Sequence, residues 1–259
     1  MSYSEEKELQ QQKNRLRDLA EKSFAQGIFT FTGFLDLAMQ DLYRRIEPEV
    51  KYAHPVLWGG KPDADRVVLR FGDPEEFGYE EEFPIAAIHV VPLQEKFAEE
   101  LSHRDYLGAL MHLGIDRAAI GDITAGSKEA WFFCLKNMEE FICGNLTLVR
   151  HTRVRCQAEP YSENALKILG AEPATESFQV PSERLDVCIA KIYHMSRSQV
   201  QPYLTSGKVY VDGRLCESGA RILKSGESVN VRGFGKFKYY GIQKETKKGK
   251  YVMQAAVYR

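Results

Sequence analysis

The chain has 259 residues, with 35 lysines and arginines against 36 aspartates and glutamates, and a net charge of -1. Its 44% hydrophobic and 27% charged residues match a folded globular protein of two or three domains. No run of ~20 apolar residues is present, which excludes a membrane-spanning helix. The charged opening MSYSEEKELQQQKNRLRDLAEK lacks the apolar core of a secretion signal.

Residues 4–25 read as a first helix with Leu9, Leu16, Leu19 and Phe24 on one side. GIFTFTGFLD follows as a glycine break with aromatics and threonines. Phe34 to Arg45 then reads as a second helix ending before Pro48. VKYAHPVLWGG and RVVLRF read as strands around the turn GGKPDAD. This gives a small N-terminal α/β domain over 1–75, ending at the acidic, turn-rich GDPEEFGYEEEFP.

Residues 76–160 have a regular rhythm. IAAIHVVPL is a strand. SHRDYLGALMHLGI is a helix capped at Ser102 and stopped at Gly114, with Tyr106, Leu107, Leu110 and Leu113 on one face. AIGDIT and EAWFFCL are strands, KNMEEFICGNL a helix, and LVRHTRVRCQ a final strand. The order βαββαβ is that of ferredoxin-like and RRM-like domains. Of Trp131, Phe132 and Phe133, two or more are expected in the core. Arg153 and Arg155 share one face of the last strand with Arg150 nearby, a secondary RNA-binding candidate. YSENALKILG reads as a helix before a linker, and the second boundary falls near Pro181.

The third domain spans 181–259. Leu185, Cys188, Ile189 and Ile192 have helical spacing. Ser196 opens a second helix, with Gln199 three residues on as a capping box. Val200, Tyr203 and Leu204 form its stripe, and Gly207 ends it. KVYVDGRLC alternates around Asp212 and Gly213, a hairpin signal, and LKSGESVNVRG is a further turn and strand. These residues hold 15 lysines and arginines against 6 acidic groups, about +9, leaving 20 against 30 in 1–180. Such a split suits a basic module that meets a polyanion. Arg197 and Gln199 lie in the first turn of the second helix, whose partial positive charge suits a phosphate. Lys208 follows that helix, and Asp212 and Arg214 mark the hairpin tip.

ERLDVCIAKIYHMSRSQVQPYLTSGKVYVDGRLCESGARILKSGESVNVRG resembles an S4-type (αL) RNA-binding domain in its RLD, SR, GKVYVDG and SGESVNVRG segments. The resemblance implies RNA contacts at Arg184, Ser196, Arg197, Gln199, Lys208, Val209, Tyr210, Asp212 and Arg232. Asp212 stands where that family more often has asparagine, and Pro202 lies inside the second helix. FTGFLD, HRDYLGALMHLGI, IGDI and RGFGKF extend the likeness over nearly the whole chain to the YlmH family of bacterial proteins. In that family the first motif usually continues with proline, where this chain has Leu37. The family implies a non-catalytic factor on ribosomal RNA of the large subunit, in contact with peptidyl-tRNA, within a quality-control pathway. The fold expected is α+β.

Beyond the module, RGFGKFKYYGIQKETKKGKYVMQAAVYR interleaves Arg232, Lys236, Lys238, Lys244, Lys247, Lys248 and Lys250 with Phe234, Phe237, Tyr239 and Tyr240. Exposed rings would stack on bases; packed rings would make this a solvated hairpin.

Signs of catalysis are weak. Arg184-Leu185-Asp186 resembles the catalytic triplet of pseudouridine synthases, but VCIAKI continues a helix where a turn is needed. His103-Arg104-Asp105 has Leu110 where a kinase loop needs asparagine. No phosphate-binding glycine loop or nucleophile elbow occurs. The six histidines lack metal-ligand spacing, and none of the five cysteines forms a C-x-x-C pair. No cofactor, metal or small-molecule substrate is expected, in a reducing cytoplasmic setting with mostly buried thiols. The competing readings are an RNA-modifying enzyme guided by the basic module and an adaptor that meets protein through its acidic half.

Overall fold

A computed structural model describes residues 3–126, 128–159, 173–246 and 249–258, a mixed α and β architecture in two compact units, 1–171 and 172–259. The helix expected over YSENALKILG, Lys247 and Lys248 all lie outside the described residues.

In the first unit, α1 (Tyr3–Gln26) and α2 (Leu37–Val50) cover a three-stranded antiparallel sheet of order β1-β3-β2, with β1 at Thr30–Leu35, β2 at Val56–Trp58 and β3 at Val67–Phe71. Helix α1 buries Leu16, Ala20 and Ser23; Phe24 is instead 60% exposed, edge-on to Tyr52. The second helix starts at Leu37, not Phe34. Asp36 is its N-cap, accepting from the Met39 amide at 2.9 Å, so Phe34 and Leu35 stay extended in β1. It also runs past Pro48, whose ring the last turn accommodates. A short α3 (Pro74–Phe77) follows.

The second sheet has the order β5-β6-β4-β8-β7. Its strands are β4 (Ile85–Pro92), β5 (Ile120–Ala125), β6 (Ala130–Leu135), β7 (Leu148–Val149) and β8 (Thr152–Glu159). Helix α4 (His103–His112) connects β4 to β5, and α5 (Glu139–Asn145) connects β6 to the β7–β8 hairpin. The expected final strand is therefore that hairpin, turning at Arg150 with φ 51°. Ser102 and Asp105 make a reciprocal capping box at α4, as its sequence signals.

This sheet is covered on both faces. Ile88, Phe132 and Cys134 meet the α4 and α5 side, with Tyr106 and Leu110. Ala87, Trp131 and Phe133 pack instead on Phe34 and Val68 of the three-stranded sheet. Trp131, Phe132 and Phe133 are all buried, at 4% exposure or less. Two-sided burial explains why AWFFCL is an unbroken apolar run rather than an alternating one. The approach is close: a Cβ on Gly121 would lie 2.7 Å from the Phe34 ring, and one on Gly33 2.8 Å from the Ala118 carbonyl oxygen.

The second unit is a six-stranded antiparallel sheet of order β11-β10-β12-β13-β14-β9. It uses β9 (Thr175–Val180), β10 (Val209–Val211), β11 (Arg214–Leu215), β12 (Ser228–Val231), β13 (Gly235–Glu245) and β14 (Tyr251–Tyr258). Strand β9 precedes residue 181 in sequence and pairs along β14 from Thr175 to Val180. Helices α6 (Leu185–Ile192) and α7 (Arg197–Thr205) supply Leu185, Cys188, Ile189, Val200 and Leu204 to one core with Val209, Val231, Phe237 and Tyr239. All five cysteines are free thiols, four of them buried. Burial pushes the Cys134, Cys156 and Cys188 thiols up to about 12.

Candidate nucleic-acid interface

The basic unit begins its charged surface at the junction of α6 and α7. Arg184 is the N-cap residue of α6, and Asp186 lies in its first turn. Arg184 donates from Nε and Nη2 to the Asp186 carboxylate, both at 3.1 Å. Arg197, first residue of α7, donates to Asp186 Oδ2 from Nη2 at 2.6 Å and Nε at 3.1 Å. The carboxylate is buried, while the Arg184 and Arg197 side chains are 38% and 58% exposed. One buried anion thus fixes two outward-facing guanidiniums, and the trio keeps a net charge of +1. That is a preordered mount for phosphate oxygens, which planar guanidinium groups bind bidentately.

Burial pushes the Asp186 carboxyl up. The hydrogen bonds and charges of Arg184 and Arg197 outweigh it and hold the pKa below the ordinary 3.8. A depressed folded-state pKa contributes stability that is complete above the unfolded value and is lost as pH falls through the folded one. The unit is therefore expected to lose stability as pH drops below about 4. Asp186→Asn should remove that part of the acid dependence in denaturant titrations; an unchanged pH profile would refute the assignment.

Helix α7 opens with the expected capping box. The Ser196 hydroxyl accepts from the Gln199 amide at 3.2 Å, and Gln199 Oε1 accepts from the Ser196 amide at 2.8 Å. Both side chains implied as RNA contacts are thus engaged in the cap. The helix continues through Pro202 and closes in a Schellman motif, with Lys208 N–H to the Tyr203 carbonyl at 2.9 Å and Gly207 N–H to Leu204 at 3.2 Å. Gly207 has φ 67°, the left-handed value the motif needs. The motif carries Lys208 to the start of β10, with its Nζ 5.7 Å from the Tyr203 ring centroid.

The Arg232 amide donates to the Lys208 carbonyl at 2.9 Å, so two cationic residues share the ends of neighbouring strands. The Arg232 guanidinium lies 5.4 Å from the Tyr210 ring centroid. Val209 and Tyr210 themselves are buried, at 0% and 4% exposure, and their side chains present little surface. Asp212 adopts φ 49° in the tight turn before β11, and its Oδ1 accepts from the Ser228 amide at 2.8 Å. Arg214 is exposed on the edge strand β11. Lys236 and Lys238 alternate with the core residues Phe237 and Tyr239 along β13. Lys236 is largely buried, its Nζ 5.3 Å from the Tyr258 centroid, and Lys238 is half-buried.

Two further groups of residues complete the picture. Phe237 and Tyr239 are fully buried, Tyr240 is half-buried, and Phe234 is 38% exposed. Two of the four interleaved rings are therefore core, and Phe234 is the most exposed of them. In the first unit, Arg153 and Arg155 are exposed side by side on β8. Arg150 lies in the preceding turn with Nε 3.7 Å from Asp105 Oδ1. The sequence reading missed the joint role of Asp186, because its pairing with Arg197 crosses from one helix to the next. It also missed the grouping of Met195, Tyr203 and Phe234 beside Lys208.

Among known proteins, residues 79–163 match the family model described as "Putative RNA-binding domain in YlmH". The chain is 28% identical over 172 residues to "Ribosome-associated protein quality control protein P2" of Bacillus subtilis. That match covers 66% of this chain and 65% of the relative, a little under two-thirds of its length. The solved "Cell division protein ylmH from Streptococcus pneumoniae" is 14% identical, with a TM-score of 0.47 over 63% of this chain and 95% of that one. Residues 79–163 are thus similar to the RNA-binding domain described for the YlmH family, and about two-thirds of the chain is similar to this curated relative.

Proposed function

We propose that the chain is a non-catalytic RNA-binding factor that docks on the ribosome of the bacterial cytoplasm, on structured RNA of the large subunit and in contact with peptidyl-tRNA. The observation that carries this reading is the pair of guanidiniums, Arg184 and Arg197, mounted on the buried Asp186 in a segment of net charge about +9. Fixed cations on a rigid helix junction suit the shape and backbone recognition that folded RNA demands. The family description and the name of the Bacillus subtilis relative point the same way. We read three domains: an N-terminal one over 1–75, an RRM-like one over 76–160 and an S4-type one over 181–259. The two helices and hairpin of 185–215 support the last of these. Arg214, Lys236 and Lys238 would extend the main face, and Arg150, Arg153 and Arg155 would add a second contact. Asp186 is held by two arginines, which suits a structural anion better than the reacting carboxylate of an RNA-modifying enzyme.

The test is sedimentation of the tagged protein with ribosomes at low and moderate salt, followed by mapping of RNA crosslinks. Salt-sensitive migration with large subunits, with crosslinks within 184–238, is the expected outcome. Protein that remains at the top of the gradient in low salt would overturn the reading.

A further inference from the structure

Lys208 also borders a groove. It encloses about 650 Å³ and is lined by Met195, Gln199, Pro202, Tyr203, Lys208 and Phe234. Its aromatic wall is unusual for its position. Phe234 lies in the tight turn between β12 and β13, 38% exposed, while its neighbour Phe237 is wholly buried in the core. The Phe234 ring meets Tyr203 edge-on at 5.2 Å and Tyr193 at 5.4 Å. An exposed ring in a turn costs apolar hydration that a ligand would relieve.

The rim is cationic. Lys208 lines the groove directly, and Arg232 is tied to its backbone. Among the described residues, no carboxylate lines it. Two polar groups reach the same space, the Gln199 amide, whose Oε1 is held by the cap, and the Ser206 hydroxyl. Aromatic and thioether surface, fixed hydrogen-bonding groups and a lysine at the edge are the features that seat a splayed-out nucleobase with its phosphate outside.

We infer that this groove receives one unpaired base of the bound RNA against Phe234 and Tyr203, with Lys208 on the adjoining phosphate. The inference rests on the RNA-binding reading of this unit and assigns it a site for a single-stranded nucleotide within an otherwise folded RNA. Helical RNA alone would leave the groove empty, so a bulged or looped target is required.

The test uses the full chain and purified ribosomal RNA refolded with magnesium. Short-wavelength ultraviolet light forms zero-length crosslinks, and mass spectrometry locates the nucleotide adducts. An adduct on the peptide that carries Tyr203 or Phe234 is expected. Phe234→Leu keeps an apolar side chain at an exposed position and should preserve the fold. It should abolish that adduct and weaken binding about tenfold, as loss of one stacked base does. The salt dependence should stay unchanged, since no phosphate contact is lost. Tyr203→Leu should act in the same direction. Retained RNA with adducts elsewhere, or undiminished affinity in both variants, would overturn the groove while leaving RNA binding by the unit intact. Failure of the wild-type chain to retain RNA at low salt would overturn both.

Discussion

Replacing Arg197 and Lys208 together by alanine should weaken binding to folded ribosomal RNA at least tenfold at physiological salt. The plot of log affinity against log salt should flatten by about two units, because each lost phosphate contact removes close to one released counterion. Arg197 leads because its guanidinium is 58% exposed yet fixed by two hydrogen bonds to Asp186, so little entropy is lost when phosphate arrives. Lys208 adds a point charge at the end of α7, which lacks a basic residue in its own last turn. Arg197→Lys is the informative companion. It keeps the charge and loses the bidentate geometry, so it should give an intermediate affinity with nearly the parental salt slope. Unchanged affinity in a folded double variant would remove this face from the binding surface.

Asp122→Ala should destabilise the first unit by about 3–5 kcal/mol. Asp122 Oδ2 and Oδ1 accept from the amides of Asp65 and Arg66 at 3.0 and 2.9 Å, and Lys61 Nζ lies 3.5 Å away. Arg66 continues the chain of bonds, from Nε to the Ile120 carbonyl and from Nη2 to those of Phe34 and Arg117. Residues of β1, the loop before β3, and β5 thereby close on one another across the two sheets. Nearby cations are poorly solvated. Burial, and then the charge of Arg66, push Arg117 down to about 10. Truncation strands two amide donors and leaves buried cations without their anion, which costs more than the hydrogen bonds alone. Chemical denaturation of the full chain, with hydrogen exchange of β3 and β5 as the local readout, measures the loss. Asp122→Asn keeps one acceptor and should cost roughly half as much. A loss under about 1 kcal/mol for the alanine variant would show that the clasp is incidental.

The same clasp gives the FTGFLD and IGDI segments a physical role. Gly33 and Gly121 are points of close approach to Ala118 and Phe34, Asp36 caps α2, and Asp122 holds the loop before β3. These residues are up to 89 positions apart, and no local pattern joins them. FTFTGFL was open to misreading for a related reason. Phe34 and Leu35 have the apolar character of a helix start, and only pairing with Val67 and Val68 settles them as strand.

Sequence alone determined what depends on near neighbours. The caps at Ser102 and Ser196, the stop at Gly207, the tight turn at Asp212, the apolar stripe of α6 and the order of elements from β4 to α5 each follow from residues within a turn or two of one another. Tertiary structure decided which charges are spent and which rings are hidden. Arg197 is tied to Asp186, Phe237 and Tyr239 enter the core while Phe234 stays out, and Trp131 and Phe133 close a second sheet face. The reason is physical: burial and ion pairing are set by contacts between distant segments, and a side chain's chemistry is the same in the sequence whether water or a partner meets it in the fold.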